Sequence, residues 1–351
     1  MRRTVVLVLL AVAVTTGAFA EVTKTLRVEL AGSPASHFGV ENLAGVMRVT
    51  AGDGEKVVAV ATVHAENDEL AGSVRLEQVT GKEGEPVLRL RVPADIWTFR
   101  YPHAGNSSFE YDGRKVKVSS SRGVELWADI EVTVPRTAVH GTFTNHVGRM
   151  TGEGLKGTVA FDSGSGDIEL RTLDGRVSAD TGSGDIVASA ITGSFSGDTG
   201  SGDIELKRFA GDAVTCDTGS GSVQIETVTA RRVKADTGSG SVRVLGADIE
   251  SFEADTGSGS VELEATGSRL TRVRADTGSG DVRLRLPADA PFEVRADQGS
   301  GDLICRYDDA RALVEGRTVV GYTRGDGRIR ITADTGSGDV VVAPLAAAEA
   351  R

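Results

Sequence analysis

Apolar and polar residues alternate on both sides of a glycine-rich turn that recurs through the second half of the chain. Around the copy at residues 180–185, Val177 lies three positions before the turn and Ile186 follows it directly. This period of two, rich in β-branched residues, is typical of strands that bury one face. The glycines between the flanks supply the backbone freedom that a tight turn requires. The pattern therefore predicts repeated strand–turn–strand units.

The turn has the form Asp-Thr-Gly-Ser-Gly-Asp, and its near-copies are 18, 18, 19, 19, 19, 21, 21 and 37 residues apart. Their leading residues are Asp162, Asp180, Asp198, Asp217, Asp236, Asp255, Asp276, Asp297 and Asp334. A unit of this length cannot bury its apolar face alone, so such units stack on their neighbours. We predict an all-β fold, a single-stack parallel β-solenoid with about 18–21 residues per coil.

The interval of 37 residues equals two ordinary periods. We interpret it as one coil that lacks the turn motif. The tripeptide Arg324-Gly325-Asp326, which matches an integrin-recognition sequence, is then a turn of that coil.

Residues 21–140 carry the same alternation with less regular spacing, and residues 141–343 carry the regular repeat. The runs at 40–49, 56–63, 87–93 and 124–135 predict strands. We expect them to form the first, wider coils and the cap of the same solenoid. The alternative is a separate sandwich domain.

Residues 95–121 interrupt this alternation with aromatic side chains, among them Trp97, Phe99, Tyr101 and Tyr111. Loops on rigid frames often carry recognition, so these four residues are candidates for ligand contact. The other interpretation is a loop that folds over the end of the solenoid and shields it.

Residues 1–20 predict a secretory signal peptide. The basic start Met1-Arg2-Arg3 precedes an apolar run from Val5 to Val14 and the small-x-small site Ala18-Phe19-Ala20. No later stretch approaches the roughly 20 apolar residues of a membrane span. Residues 344–351 form a tail without an apolar anchor. We expect an exported protein without a transmembrane anchor, located in the periplasm, on the cell surface or outside the cell.

The net charge of the chain limits which classes of partner it can bind. It has 39 Lys and Arg against 50 Asp and Glu, a formal net charge of -11. An acidic surface argues against nucleic acid and anionic lipid as partners.

Stacked coils would bring the nine leading aspartates into a ladder. Carboxylates about 5 Å apart repel by about 3 kcal/mol at an effective dielectric near 20. Either each carboxylate accepts hydrogen bonds from the N–H groups of its own turn, as in an Asx-turn, or calcium neutralises the ladder. A second acidic column favours calcium, and it consists of Asp167, Asp185, Asp203, Asp281, Asp302 and Asp339. Serine replaces it in the middle coils, so we favour metal-free turns without a cofactor and keep calcium as the alternative.

Asp-Thr-Gly-Ser is also the active-site signature of aspartic proteases, which pair two such aspartates so that they share a proton. Here it occurs seven times at the same turn of a repeat, which indicates architecture rather than a catalytic dyad. The five histidines show no metal-ligand spacing, and no Ser-His-Asp or His-Cys set can be assembled. The sequence therefore predicts a protein that is not an enzyme.

Both cysteines fall on inward positions of the repeat. Cys216 precedes the leading Asp217, and Cys305 occupies the strand position that Leu284 fills one coil earlier. Their turns are four coils apart, about 19 Å at the usual strand spacing. A disulfide needs Cα atoms within about 7 Å, so we predict two buried free thiols.

The iterated Val-x-Ala-Asp-Thr-Gly-Ser-Gly-Asp-Val-x-Val unit resembles a bacterial family of β-strand-repeat proteins that are labelled adhesins and classed as a domain of unknown function. The likeness covers most of the chain after residue 20 and is strongest from Val159 to Val342. It implies a β-solenoid in the bacterial envelope or outside it.

These observations favour an exported binding or adhesion module whose partner is a surface, a glycan or an envelope protein. The alternative is a structural or regulatory envelope protein that partners a membrane sensor. A polysaccharide-acting β-helix enzyme would need acidic clusters in a cleft, and the sequence offers acidic columns only in turns.

Overall fold

A computed structural model gives the structure of residues 22–297 and 299–345. The predicted signal peptide at 1–20 lies outside the described residues, as does most of the predicted tail at 344–351. Within the described residues, no helix is both long and apolar enough to cross a membrane. The chain divides into two compact units, residues 1–184 and residues 185–351.

The first unit is built from strands and one short helix. Its strands are β1 (Val22–Glu29), β2 (Phe38–Asn42), β3 (Met47–Gly52), β4 (Val58–Ala65), β5 (Arg75–Thr80), β6 (Pro86–Arg91), β7 (Thr98–Arg100), β8 (Ser107–Tyr111), β9 (Arg114–Ser119), β10 (Val124–Pro135), β11 (Val139–Val147), β12 (Met150–Glu153), β13 (Lys156–Ser165) and β14 (Ile168–Thr181). The helix α1 (Asp68–Ser73) begins after Asn67, whose side chain accepts a hydrogen bond from the Leu70 N–H at 2.8 Å and so caps the helix.

Three coils of the first unit stack in parallel register. Strand β2 pairs with β11 and β11 with β13, while β3 pairs with β12 and β12 with β14. The long strand β14 turns a corner at Thr172, whose φ of 57° is left-handed, and its second half pairs with β13. The register places Asn42, Asn145 and Ser163 in one buried column. The predicted parallel stacking is therefore present.

Residues 53–138 leave the coil pattern and form mostly antiparallel strands beside it. Strand β4 is antiparallel to both β1 and β10, and β5 is antiparallel to β6. Strands β10 and β6 pair directly with the coil strands β3 and β2. Of the expected first coils, only β2–β3 is a coil, and the other strands cover its edges as a cap does. These strands belong to the same compact unit as the coil strands with which they pair.

The second unit consists of strands and connecting turns. Its strands are β15 (Ile186–Thr199), β16 (Ile204–Thr218), β17 (Val223–Thr237), β18 (Val242–Thr256), β19 (Val261–Ala265), β20 (Arg272–Thr277), β21 (Val282–Leu286), β22 (Phe292–Asp297), β23 (Leu303–Cys305), β24 (Arg311–Glu315), β25 (Thr318–Arg324), β26 (Ile329–Thr335) and β27 (Val340–Pro344).

Each of the strands β15 to β18 forms one coil without interruption. They pair in parallel, with their leading aspartates in register. Each strand turns a corner at a residue with a left-handed φ, and these residues are Ala190, Arg208, Thr227 and Gly246, at 55°, 57°, 58° and 65°. The inward Val, Ile, Leu and Ala side chains on both sides of the corner are buried. The predicted all-β fold class, a parallel β-solenoid, is confirmed.

The last coils stack in an order that differs from their order in the sequence. Strand β26 lies between β20 and β22, and β27 lies between β21 and β23. The spatial order of the leading aspartates is therefore Asp276, Asp334, Asp297. The final coil of the chain lies between the two coils that precede it.

The prediction of a coil without the motif is wrong, because the long interval contains an antiparallel hairpin of β24 and β25. Strand β25 also pairs antiparallel with β22 and so covers the edge of the outermost coil. Gly325 and Gly327, with φ of 60° and 65°, return the chain from β25 to β26. The tripeptide Arg324-Gly325-Asp326 is a turn, as predicted, but it belongs to this cap.

Candidate functional site

In at least six of the turns, a buried threonine rather than the aspartate before it holds the turn together. Thr218 Oγ1 donates to the Gly202 carbonyl of the adjacent coil at 2.9 Å and accepts from the Gly221 N–H of its own turn at 3.1 Å. The same pair of bonds is made by Thr181, Thr237, Thr256, Thr277 and Thr335. Each hydroxyl thus satisfies one backbone donor and one backbone acceptor.

The last residue of each turn forms a second hydrogen-bonded column. Asp203 Oδ1 accepts from the Ser222 N–H at 2.7 Å, and Ser222 Oγ accepts from the Ser241 N–H at 3.3 Å. Asp185, Ser241, Ser260, Asp281 and Asp339 accept from the adjacent coil in the same way. Asp and Ser are interchangeable here because each supplies an acceptor oxygen. This structural use of the second acidic column weakens the sequence argument for calcium.

Within each unit, the leading aspartates lie in register on the solvent side of the turns. Asp162 and Asp180 belong to the first unit, and Asp198, Asp217, Asp236, Asp255, Asp276, Asp334 and Asp297 belong to the second. Desolvation and the carboxylates of neighbouring coils raise the pKa of Asp217, Asp255 and Asp334 above its usual value. In the first unit, desolvation and Asp162 likewise raise the pKa of Asp180. The repulsion that the sequence predicted along the ladder is present.

Basic side chains on the same strands relieve part of this repulsion. Lys234 pairs with Asp236, and Arg274 Nη2 lies 2.8 Å from Asp276 Oδ2. The expected Asx-turn bond forms at Asp297, whose Oδ1 accepts from the Gly299 N–H at 3.4 Å. The Asx-turn prediction is wrong for six other turns, because the N–H two residues after the aspartate donates to a backbone carbonyl of the adjacent coil instead. These turns are led by Asp180, Asp217, Asp236, Asp255, Asp276 and Asp334.

A shallow acidic groove of about 540 Å³ lies over the turns of the last four coils. Its carboxylates belong to Asp255, Asp276, Asp334 and Asp297. In the part of the chain that the structure describes, no group of three or more His, Cys, Asp or Glu is arranged to hold a metal ion. Calcium binding stays a prediction.

Close packing between turns explains why their second glycine is needed. A Cβ on Gly221 would lie 1.9 Å from the Gly202 carbonyl oxygen, and a Cβ on Gly259 would lie 1.9 Å from that of Gly240. No side chain fits at such a distance from backbone. The glycine therefore sets how closely successive coils approach.

Three of the four aromatic candidates for ligand contact are buried. Phe99 is 0% exposed, Tyr111 is 1% exposed and Tyr101 is 4% exposed, whereas Trp97 is 57% exposed. Tyr111 Oη donates to the Leu90 carbonyl at 2.5 Å. The structure therefore contradicts ligand contact for Phe99, Tyr101 and Tyr111, which pack inward as the shielding interpretation expects. Trp97 remains a candidate.

Arg114 holds the segment that carries Trp97. Its guanidinium lies over the indole ring, 5.6 Å from the ring centroid. The same guanidinium donates to the carbonyls of Pro93, Ala94 and Ile96 at 2.6 to 2.7 Å. The backbone next to the exposed indole is therefore held in place, and the Arg114 guanidinium covers one face of the ring.

Sequence reasoning missed a half-buried charge cluster in the first unit. Arg89 Nε lies 2.6 Å from Glu41 Oε2, and His146 Nε2 lies 3.1 Å from Glu41 Oε1. The His146 ring stacks on Phe109, with centroids 4.5 Å apart. Burial alone would raise the pKa of Glu41, but the bonds from His146 and Arg89 outweigh it and hold that pKa below its usual value. The partners are 48 and 105 residues from Glu41, so no local pattern reveals them.

Both cysteines are free. Cys216 is buried, and this burial raises the pKa of its thiol to about 12. Cys305 aligns with Val342, and Val342 with Leu284, as the predicted register requires. Cys305 is only half-buried, so its predicted burial is wrong, and the reason is that β23 belongs to the outermost coil.

Comparisons with known proteins give one family and two distant structures. The model of the Toastrack DUF4097 family matches residues 130–343. A crystal structure of a candidate cell adhesion protein from Clostridium sporogenes ATCC 15579 is 10% identical, covers 93% of this chain and 100% of its own, and gives a TM-score of 0.24. A crystal structure of a candidate lipid binding protein from Parabacteroides distasonis ATCC 8503 is 13% identical and covers 90% of this chain and 96% of its own. Its TM-score is 0.39. No curated protein matches the chain.

Proposed function

This chain belongs to the Toastrack DUF4097 family, and we propose that it is a non-enzymatic binding protein exported to the bacterial cell envelope or beyond it. Its partner is a surface, a glycan or an envelope protein. The observation that carries the proposal is how the threonine-containing turns use their polar groups. The threonine and the closing Asp or Ser bond to the adjacent coil, so the outward side chains are the groups left for a partner.

The strands that follow the turns carry many charges on their outward face. In the second unit, Arg243 Nε lies 2.9 Å from Glu262 Oε2 of the adjacent coil, and Lys207 pairs with Glu205 on its own strand. Exposed pairs of this kind contribute little to stability, about 0–1 kcal/mol each. Their concentration on one face instead suits electrostatic complementarity to a charged partner.

The framework under these charges is rigid. Strands β15 to β18 pair over nearly their whole length, and their corners repeat at equivalent residues. A preorganised surface loses little conformational freedom when it binds, which favours affinity. This rigidity supports a binding role.

The chemistry of the candidate reactive groups supports a non-enzymatic role. The raised pKa of Asp217 comes from desolvation and from Asp198 and Asp236 in equivalent turns, which is a property of a ladder. The Cys216 thiol is buried with a pKa of about 12, so it is not a thiolate nucleophile at neutral pH.

The test uses the purified chain without residues 1–20. Fluorescently labelled protein is incubated with intact cells and with isolated envelopes of the source bacterium, and the bound fraction is measured after sedimentation. An excess of unlabelled protein is the control for specificity. Saturable binding to intact cells supports the proposal, and saturable binding to opened envelopes alone favours an internal partner such as a membrane sensor. Binding that does not saturate in either preparation contradicts the proposal.

A further inference from the structure

A polar groove lies on a small sheet of the first unit that is formed by β8, β9, β7 and β10. Its volume is about 650 Å³, which falls within the range of ligand sites in proteins, about 300–1,000 Å³. Its lining includes Thr98, Asn106, Ser108, Lys117, Ser121 and Arg122. We name it the serine groove.

The register of this sheet aligns three polar residues of the groove. Ser108 pairs with Lys117, and Lys117 pairs with Thr98, so their side chains form one row across three strands. On the next rung, Phe99 and Val118 are buried, and Val118 also lines the groove together with Ser107 and Ser119. Ser108 and Lys117 are exposed, so the polar row faces solvent.

The loop that carries Ser121 and Arg122 is held against β7. Gly123 has a φ of 103°, and a Cβ at this position would lie 2.5 Å from the Thr98 carbonyl oxygen. The Ser121 N–H also donates to Ser119 Oγ at 3.3 Å. These contacts fix the loop, and Arg122 with it, at the wall of the groove.

Two cations in the groove have no acidic partner. Across residues 22–297 and 299–345, neither Lys117 nor Arg122 forms an ion pair, and the side chains of Asn106, Ser108 and Ser121 form no hydrogen bond. Elsewhere in the unit, Arg89 pairs with Glu41 and Arg100 with Glu125. In a chain of net charge -11, two unpaired cations give this groove a local positive potential that selects anions.

We propose that the serine groove binds an anionic saccharide, a sugar that carries a carboxylate or a phosphate. Hydroxyl and amide side chains both donate and accept hydrogen bonds, and this matches the hydroxyl groups of a sugar. Lys117 and Arg122 supply the stronger, charge-assisted bonds to the acidic group. The inference rests on the proposed binding function and names the ligand class of one surface.

The experiment is isothermal titration calorimetry on the chain without residues 1–20. The probes are trigalacturonate for the carboxylate, glucose 6-phosphate for the phosphate and maltotriose as the neutral comparison. We expect at least one acidic sugar to bind, with an affinity that falls as salt is added. The substitutions Lys117→Gln and Arg122→Gln each weaken binding by about 10-fold or more, because each removes a charge-assisted bond.

The matched control is Lys115→Gln. Lys115 is an exposed lysine on the same strand that faces Glu110 across the hairpin and does not line the groove. The Lys115→Gln substitution should leave the binding of the acidic sugar unchanged. The proposal is overturned if neither acidic sugar binds, if maltotriose binds as tightly as the tighter of the two acidic sugars, or if Lys115→Gln weakens binding as much as Lys117→Gln.

The envelope assay separates this proposal from the proposed function. If the acidic sugar binds but the wild-type chain does not bind envelopes, the groove is supported and the envelope function is contradicted. If the wild-type chain binds envelopes but neither acidic sugar, the groove is overturned and the envelope function stands.

Discussion

The backbone N–H of Asp339 donates to Asp281 Oδ1 at 2.9 Å, although 58 residues separate the two in the sequence. Asp302, which comes between them in the sequence, in turn donates its N–H to Asp339 Oδ1 at 2.9 Å. The final coil is therefore inserted into the stack, and the coil before it lies outermost under the hairpin of β24 and β25.

Engineered disulfides test this coil order. Arg274 is aligned with Thr332, and Thr332 with Arg295, so Arg274 and Arg295 are two strands apart. Adjacent strands lie about 4.8 Å apart, within the Cα separation that a disulfide needs, whereas strands two apart lie at about 9.6 Å, which is too far.

In a Cys305→Ser background, the pair Arg274→Cys and Thr332→Cys should form a disulfide on oxidation. The matched pair Arg274→Cys and Arg295→Cys should not. Mass spectrometry of non-reduced peptides reads the outcome, and a disulfide in the second pair alone would show that the coils stack in sequence order.

The turn threonines should each contribute measurably to stability. Replacing Thr237 by Val keeps its shape but leaves the Gly221 carbonyl and the Gly240 N–H without their partner. A buried polar group left unpaired costs about 1–3 kcal/mol. The control is Thr229→Val, at an exposed strand position of the same coil, and urea denaturation compares the two. If both variants have the same stability, the hydrogen bonds of Thr237 do not stabilise the turn, and this prediction is wrong.

The aspartate ladder should reduce stability at neutral pH. The pKa of Asp217 is raised in the folded state by desolvation and by neighbouring carboxylates, so the folded protein binds this proton more tightly than the unfolded chain does. Stability then falls as the pH rises through that pKa, and the repulsion is fully present at pH 7. Asp217→Asn should therefore raise the melting temperature at pH 7, by about 1 °C for an exposed group.

The advantage of Asp217→Asn should disappear below pH 3, where the carboxyl is protonated in both states. Asp236→Asn is the control, because Lys234 pairs with this carboxylate and its removal should bring no gain. A stabilising effect of Asp236→Asn as large as that of Asp217→Asn would contradict this account of the ladder.

Divalent cations should stabilise the chain only by screening. The closing Asp and Ser side chains already accept inter-coil hydrogen bonds, and desolvation and like charge explain the raised pKa of Asp255 in the acidic groove. We expect calcium and magnesium to raise the melting temperature equally at matched ionic strength. A saturable rise specific to calcium, reversed by chelator, would instead establish the calcium alternative.

The repeat itself could be predicted from the sequence because each coil packs only on its neighbours. Spacing alone placed the leading aspartates in register and put Cys216 on an inward position, and the structure has both. The sequence analysis did not predict the role of the threonine, because it considered the charges of the carboxylates and not the hydroxyl groups of the motif. The clue was present, since a polar residue at the same place in seven turns of a β-repeat is a candidate for a buried hydrogen bond.

The ends of the solenoid could not be predicted by the same reasoning. Alternation of apolar and polar residues marks a strand but does not say whether its partner is parallel or antiparallel. The sequence therefore predicts coils where β4 and β10 pair antiparallel with each other. At the other end, the hairpin of β24 and β25 and its connections occupy residues 306–328, slightly more than the length of a coil. Its strands alternate like those of a coil, and only their pairing distinguishes the two.

The central claim is that turn residues stabilise the fold and outward side chains bind the partner. Envelope binding by two kinds of variant tests this claim most directly. The turn variant carries Asp217→Asn and Asp255→Asn. The first outward variant carries Lys117→Gln and Arg122→Gln, and the second carries Lys207→Glu and Arg243→Glu. Circular dichroism confirms that all variants are folded. The account predicts that the turn variant binds envelopes like wild type and that at least one outward variant binds about 10-fold more weakly. A folded turn variant that loses binding while both outward variants keep it would contradict the account.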